Sequence, residues 1–229
     1  MAILRLTLSN LETEILRLSG YAASADAPWT SSATLYQIIN RYMQQLSIRA
    51  AEVMNAAGLP LGRQSLRFDM WRTQVAMTTT SGSSNADFPT DYDHYVSFWD
   101  NTNNRPVYTI EDVERFHPKI RLKPAGPPEF INIRGFVISG STWVRRGILY
   151  PSTPASVTPS INLEYWRLPA IMPGSAPTTE YPDIDIKLQE LAIYGPLVDL
   201  KIVSGPAYDR LVAKEKELLL ELCHSAKAA

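Results

Sequence analysis

A single cysteine, Cys223, among 229 residues excludes an intramolecular disulfide, and no Cys/His group keeps the spacing of a zinc site. Packing alone must hold this fold. An excess of charge of one sign is lacking too. Lys and Arg number 22 against 23 Asp and Glu, a formal net charge of −1, so there is no overall positive field of the kind that draws proteins onto phosphate backbones or anionic lipid. No apolar run reaches the ~18 residues of a membrane span, and the N-terminal segment is interrupted by Arg5, Glu12, Glu14 and Arg17. These absences predict a soluble protein of the cytosol without a membrane partner. Also missing are a P-loop, a dinucleotide fingerprint, a paired-histidine zincin helix and a nucleophile elbow. Histidine is scarce, and no motif gives His117 or His224 a Ser, Cys or carboxylate partner, so both are expected to be structural. No catalytic residue and no cofactor is assigned.

What is present suits a globular chain: 45% apolar and 20% charged residues argue against disorder and against a fibre. Ser9 with Glu12 has the form of a capping box, and Leu11, Ile15 and Leu18 keep helical spacing up to Gly20. After Trp29 and the cap candidates Thr30, Ser31 and Ser32, a long stripe of Leu35, Ile38, Ile39, Tyr42, Met43, Leu46, Val53, Met54 and Ala57 predicts one helix ended by Gly58 and Pro60.

From Phe68 to Leu168 the pattern changes to short runs rich in Val, Ile, Tyr, Trp and Thr, punctuated by Pro, Gly, Asn and Ser. Strands are expected in "WRTQVAMTT", "DHYVSFW", "RPVYTI", "EFINIRGFVI", "RRGILYP" and "INLEYWRL", turns in "NTNN" and "GPP", and one helix in "IEDVERF". Helical spacing returns at Ile184, Ile186, Leu188, Leu191, Ala192, Leu197, Val198 and Leu200, with Gly195 and Pro196 placed to kink it. A last helix after Gly205 and Pro206 presents Tyr208, Leu211, Val212, Leu218, Leu219 and Leu222. The order predicts an α+β fold: a helical bundle built from both ends of the chain, 1–67 and 169–229, with a β-rich module, 68–168, inserted between them.

The stretch "DFPTDYDHYV" gathers Asp87, Asp91, Asp93 and His94 within ten residues. Hard-metal ligation needs such oxygens to converge, but the spacing lacks the Gly and terminal Glu of a calcium loop. As a strand, the same residues alternate. Tyr92, His94, Val96 and Phe98 fall on one face, with Asp91, Asp93, Tyr95 and Ser97 on the wet one. The stretch is expected to start a strand and to hold no metal. Arg145 and Arg146 point to opposite faces of theirs, which favours a solvated strand edge or a subunit contact over nucleic-acid binding.

Three segments together resemble the head-to-tail adaptor, or connector, proteins of tailed bacteriophages. They are "PWTSSATLYQIINRYMQQL", Pro28 to Leu46; "DFPTDYDHYVSFWDNTNNRPVYTIEDVERFHP", Asp87 to Pro118; and "INLEYWRLPAIMPG" running into "YPDIDIKLQELAIYGPLVDLKI" and the closing "AYDRLVAKEKELLLEL". The resemblance implies a non-enzymatic virion protein of the neck, assembled in the host cytoplasm as a homo-oligomeric ring, a dodecamer, under the portal. Its channel would pass genomic DNA without specific binding, and it would offer a platform to a stopper, tail or nozzle protein. Gly195 and Pro196 depart from the uninterrupted helix of that pattern. The closing residues Cys223, His224, Ser225, Ala226, Lys227, Ala228 and Ala229 are expected to lack structure alone and to order on portal. Trp71, Trp99, Trp143 and Trp166 are candidates for ring contacts, with two or more of them expected to fill core instead. The competing assignments are a tail-completion or baseplate component and a small metal-dependent hydrolase or nuclease using Asp87, Asp91, Asp93 and His94.

Overall fold

The computed structural model describes residues 5–21, 32–58, 67–110, 123–139 and 141–227. The fold is α+β, and the chain divides into two compact units, Met1–Met70 with Pro169–Ala229, and Trp71–Leu168. The expected helix in "IEDVERF", apart from Ile110, lies outside the described residues, as do Trp29 and His117.

In the first unit, α1 (Leu8–Ser19) buries Leu8, Leu11 and Ile15, one face at three- and four-residue steps. Its cap is Thr7 and not Ser9: the Thr7 hydroxyl accepts from the Asn10 amide at 3.3 Å. Tertiary partners explain the earlier start, since the amides of Leu8 and Ser9 donate to the carbonyls of Glu180 and Pro177, both at 2.9 Å. Gly20, at φ 81°, closes the helix as its sequence position predicts.

The long apolar stripe forms two helices, α2 (Ser32–Gln44) and α3 (Leu46–Ala56), with Gln45 at φ −94° and ψ −1° between them. Leu35, Ile39, Tyr42, Met43, Leu46 and Met54 are buried, whereas Ala57 is exposed past the helix end. Asn40 is buried within that stripe without loss, because its side-chain amide donates to the Met172 carbonyl at 2.8 Å and its Oδ1 accepts from the Met172 amide at 3.0 Å.

Helix α4 (Leu191–Leu200) starts later than the spacing from Ile184 suggested. Ile184 and Leu188 are buried, but from turns bonded by Ile184 to Pro182 and Leu188 to Asp185. Helix α5 (Pro206–Lys227) begins at its proline, which gives up only an amide that no helix N-terminus pairs internally. α4 packs on α1, α2 and α5, and α3 packs on α5.

The second unit is a curled mixed sheet of eight strands: β1 (Arg72–Ala76), β2 (Thr78–Thr79), β3 (Asn85–Asp87), β4 (Tyr92–Asp100), β5 (Arg105–Thr109), β6 (Phe130–Ser139), β7 (Thr142–Tyr150) and β8 (Ile161–Arg167). Their order is β1-β8-β4-β5-β6-β7-β3-β2, antiparallel throughout except for β5 beside β6. The two end strands are one residue apart in the chain, at Met77, so the sheet curls until its ends meet. The Met77 amide donates to the Ile161 carbonyl at 2.8 Å, which carries the β1–β8 pairing one residue further. Inside lie Met77, Phe88, Phe98, Val107, Ile131, Leu149, Ile161 and Leu163. Strand β3, only three residues long, carries too short an alternation to be read from sequence.

The turn after β4 is organised by a buried acid. Asp100 is fully buried, and its carboxylate accepts from the amides of Thr102 at 3.0 Å and Asn103 at 3.2 Å and from the Asn103 side chain at 2.7 Å. Replacing Asp100 by Ala leaves those donors short of acceptors. We expect a loss of about 2 kcal/mol in denaturant unfolding, with most of it recovered in Asp100→Asn.

Candidate functional site

The acidic stretch does not converge. Asp87, ending β3, forms a two-pronged ion pair with Arg146 on β7, with Nε to Oδ1 at 2.6 Å and Nη2 to Oδ2 at 2.9 Å. That bond holds the Arg146 guanidinium above its ordinary value. Asp91 instead accepts from the Tyr165 hydroxyl at 2.9 Å. Burial first, then that hydrogen bond, pushes the tyrosine up to about 12. Asp93 is exposed on β4, and His94 stacks on Tyr95 with ring centroids 5.0 Å apart. Among the described residues no three His, Cys, Asp or Glu side chains are placed to hold a metal ion. Titration with Mg²⁺, Mn²⁺ or Ca²⁺ is therefore expected to leave the melting temperature unchanged, since a cation bound only by the folded state would raise it.

The alternation read along β4 needs correction. Register shifts between Tyr92 and His94 and between Tyr95 and Ser97 re-phase the strand, so Tyr95, assigned to the wet face, packs against the core and lies 5.4 Å from the Phe98 ring. Arg145 and Arg146 are also corrected: β7 pairs with β6 on one side and β3 on the other, so the pair is not on a free edge. Arg146 is held by Asp87, and the Arg145 guanidinium lies 5.6 Å from the Tyr92 ring centre and 5.2 Å from that of Phe136.

The tryptophans sort cleanly by exposure. Trp71 is 5% exposed and Trp166 half-buried, while Trp99 and Trp143 are 41% and 63% exposed. Trp143 stands at the end of the β6–β7 hairpin, where Phe136 and Ile138 are equally open at 62% and 63%. A contiguous apolar patch of this kind on a folded surface is the mark of a contact site, whereas single exposed apolar residues are ordinary. Sequence reasoning singled out Trp143 but not Phe136 or Ile138. Their strand alternates as a buried one does, and only the projection of the hairpin from the sheet exposes it.

At the C-terminal end, helix α5 continues through Lys227, which overturns the expectation that the segment from Cys223 lacks structure alone. Cys223 is fully buried with its Sγ 3.7 Å from the Ala50 carbonyl, so it anchors α5 on α3, and His224 beside it is exposed. Ala228 and Ala229 lie outside the described residues.

A polar network that no motif announced ties four helices together. Tyr42 on α2 is fully buried, and its hydroxyl donates to Glu215 on α5 at 2.7 Å. Arg49 on α3 reaches the same Glu215 oxygen at 3.4 Å, pairs with Asp199 on α4, and lies 4.8 Å from the Tyr42 ring centre. Burial raises Tyr42 and Glu215 above their ordinary values. The Tyr42 bond and the Arg49 charge offset part of the rise at Glu215. For Arg49, burial pulls downward, but Asp199 and Glu215 outweigh it and the guanidinium is held above its usual value. Each of these polar side chains is met by another from a neighbouring helix, and the arrangement reads as structural.

Open clefts among the described residues include two. One, of about 370 Å³ in the helical unit, is lined by Leu6, Asn10, Glu14, Glu190, Ile193 and Tyr194 among others. The other, of about 250 Å³ in the β unit, is lined by Tyr95, Thr109, Ile110, Ile133, Arg134 and Arg145. Neither lining combines a nucleophile with a base held at hydrogen-bond distance, the pairing that acyl or phosphoryl transfer requires.

No curated protein matches the chain. Residues 6–213 match the family model of the SU10 adaptor protein, a span that enters both compact units and ends within the first part of α5. The chain therefore belongs to the SU10 adaptor protein family, a family of phage head-to-tail adaptors.

Proposed function

We propose that the protein forms a dodecameric ring beneath the portal of a tailed phage and extends the DNA channel toward the tail. The family match across both units carries this reading, and membership makes the chain a structural adaptor of the virion at the head-to-tail interface. In this reading 1–67 and 169–229 make a helical bundle that forms the ring body and touches portal. The inserted β-rich module, 68–168, faces the stopper, tail or nozzle protein. A formal net charge of −1 suits a channel wall, because a strongly basic one would hold DNA through counterion release and slow its exit. Portal contact is assigned to the end of α5, with Cys223 as its buried anchor and His224, Ser225, Ala226, Lys227, Ala228 and Ala229 reaching the partner.

Negative-stain microscopy of the protein mixed with the portal protein of the same phage tests the reading. Portal particles carrying an added ring layer are the expected result, and a chain lacking Ser225 to Ala229 is expected to lose that layer. Chains that stay monomeric and never join portal would defeat the proposal. They would turn attention to a tail-completion or baseplate role.

A further inference from the structure

The β6–β7 hairpin is built as a projecting apolar tip with its own positive charge. Ile138 lies opposite Trp143 and Phe136 opposite Arg145 in the register, so these four side chains share one face. The register shift between Ile133 and Phe136 takes up Arg134 and Gly135, and the Arg145 guanidinium under Phe136 fixes how that ring stands. From Phe130 to Tyr150 the chain carries Arg134, Arg145 and Arg146 and no acid. Asp87 neutralises Arg146, and Arg134 remains exposed.

The cleft of about 370 Å³ on the helical unit has the opposite character. Leu6, Ile193 and Tyr194 supply apolar surface, Glu14 and Glu190 supply two carboxylates, and no Lys or Arg is among its described lining residues. Nearby cations are accounted for: Arg17 pairs with Glu14, and Lys214 pairs with Glu217 while sensing Glu190. Glu190 is thus the carboxylate left to meet an incoming guanidinium.

We infer that the hairpin tip of one copy docks into this cleft on the next copy of the same chain. Ile138 and Trp143 would lie on Ile193, Tyr194 and Leu6, with Arg134 against Glu190. A patch and its receptor at different places on one chain make a head-to-tail contact, which closes into a ring when the rotation permits. Opposite charge at the rim fixes which way round the copies meet. The inference rests on the ring reading and names the contact that makes the ring.

The test uses phage particles carrying Asn10→Cys and Ile138→Cys together, or either alone, treated with a short bis-maleimide and run on a denaturing gel. Buried Cys223 supplies little background. The double variant is expected to give a ladder of linked multimers of this chain, and each single variant only monomer. Linked dimers from Ile138→Cys alone would mean that hairpins meet each other, a product with a different protein would place the tip on that partner, and either overturns the inference. So does an absent ladder when the variant chain is present in the particles. Particles that form and infect without the chain would instead overturn the adaptor reading itself.

Discussion

Gly195→Ala is expected to destabilise the protein by about 2–3 kcal/mol, lowering its melting temperature by roughly 4–12 °C. The sign is the informative part. In an open helical position alanine in place of glycine stabilises by about 1 kcal/mol, because glycine loses more backbone freedom on folding. At Gly195 there is no room: an added Cβ would stand 1.9 Å from Cζ of Tyr42 and 2.1 Å from its Cε2. The ring is fully buried and held by the Glu215 hydrogen bond, so it cannot step aside without giving up that bond. The overpacking term therefore exceeds the propensity gain. In a Tyr42→Leu background, itself weakened, the same Gly195→Ala change is expected to be neutral or stabilising, since the two sites share one volume. Equal destabilisation in both backgrounds, measured by thermal and denaturant unfolding, would refute the close-approach account.

Arg49→Met is expected to cost about 3 kcal/mol. Methionine keeps the packing of the stem and removes the cation that faces Glu215 and Asp199. Breaking a buried pair by deleting one partner leaves the other charge stranded, and the low end of that effect applies because Arg49 keeps 23% of its side-chain exposure. Glu215→Gln should cost less, since a glutamine oxygen still accepts from Tyr42, and the double variant should recover part of the Arg49→Met loss.

Acid adds a second readout. The folded-state value of Glu215 is raised, chiefly by burial, so the folded protein holds its proton more tightly than the unfolded chain. Stability from this group is fully present below the ordinary carboxyl value of 4.5 and is lost as pH rises through the raised one. Relative to Glu215→Gln, the natural protein should gain stability on acidification through that window. The gain should be larger in Arg49→Met, where the offsetting cation is gone. A natural protein that instead loses ground to the glutamine variant on acidification would contradict this placement of Glu215.

These two sites mark how far the sequence reached. The helical stripe from Leu35 to Met54 was legible because apolar residues at three- and four-residue steps leave little choice of face. That Gln45 divides it was not, since nothing in the local pattern demands a break. Gly195 and Pro196 read as a place where the helix should kink. In the fold α4 runs through both, and the glycine makes room for a ring from far away in the chain, that of Tyr42 on another helix. Likewise Glu215 is not among the apolar residues read for the last helix, and only packing showed it buried with a tyrosine and an arginine from α2 and α3.

The candidate sites divide in the same way. Asp91, Asp93 and His94 do stand at the start of β4, as their turn chemistry predicts, but Asp87 ends β3, and the partners of Asp87 and Asp91, Arg146 and Tyr165, lie 59 and 74 residues away in the chain. The face assigned to Tyr95 was wrong because a bulge inserts a residue, and a period-two argument reverses at every such insertion. Ser9 lost the capping position to Thr7 because carbonyls of Pro177 and Glu180 satisfy the first amides of α1.

By itself the sequence determined the class of the fold, the positions of most helices and strands, the turn at Asn101–Asn104 and the family resemblance, because each depends on local propensity, periodicity or the order of motifs along the chain. Tertiary structure alone decided which tryptophans face solvent, that the sheet curls until β1 and β2 meet at Met77, and that Tyr42, Arg49, Asp199 and Glu215 form one buried network. Those features depend on groups far apart in the chain arriving at one place, and burial and charge pairing act on distance in space, to which local pattern carries no key.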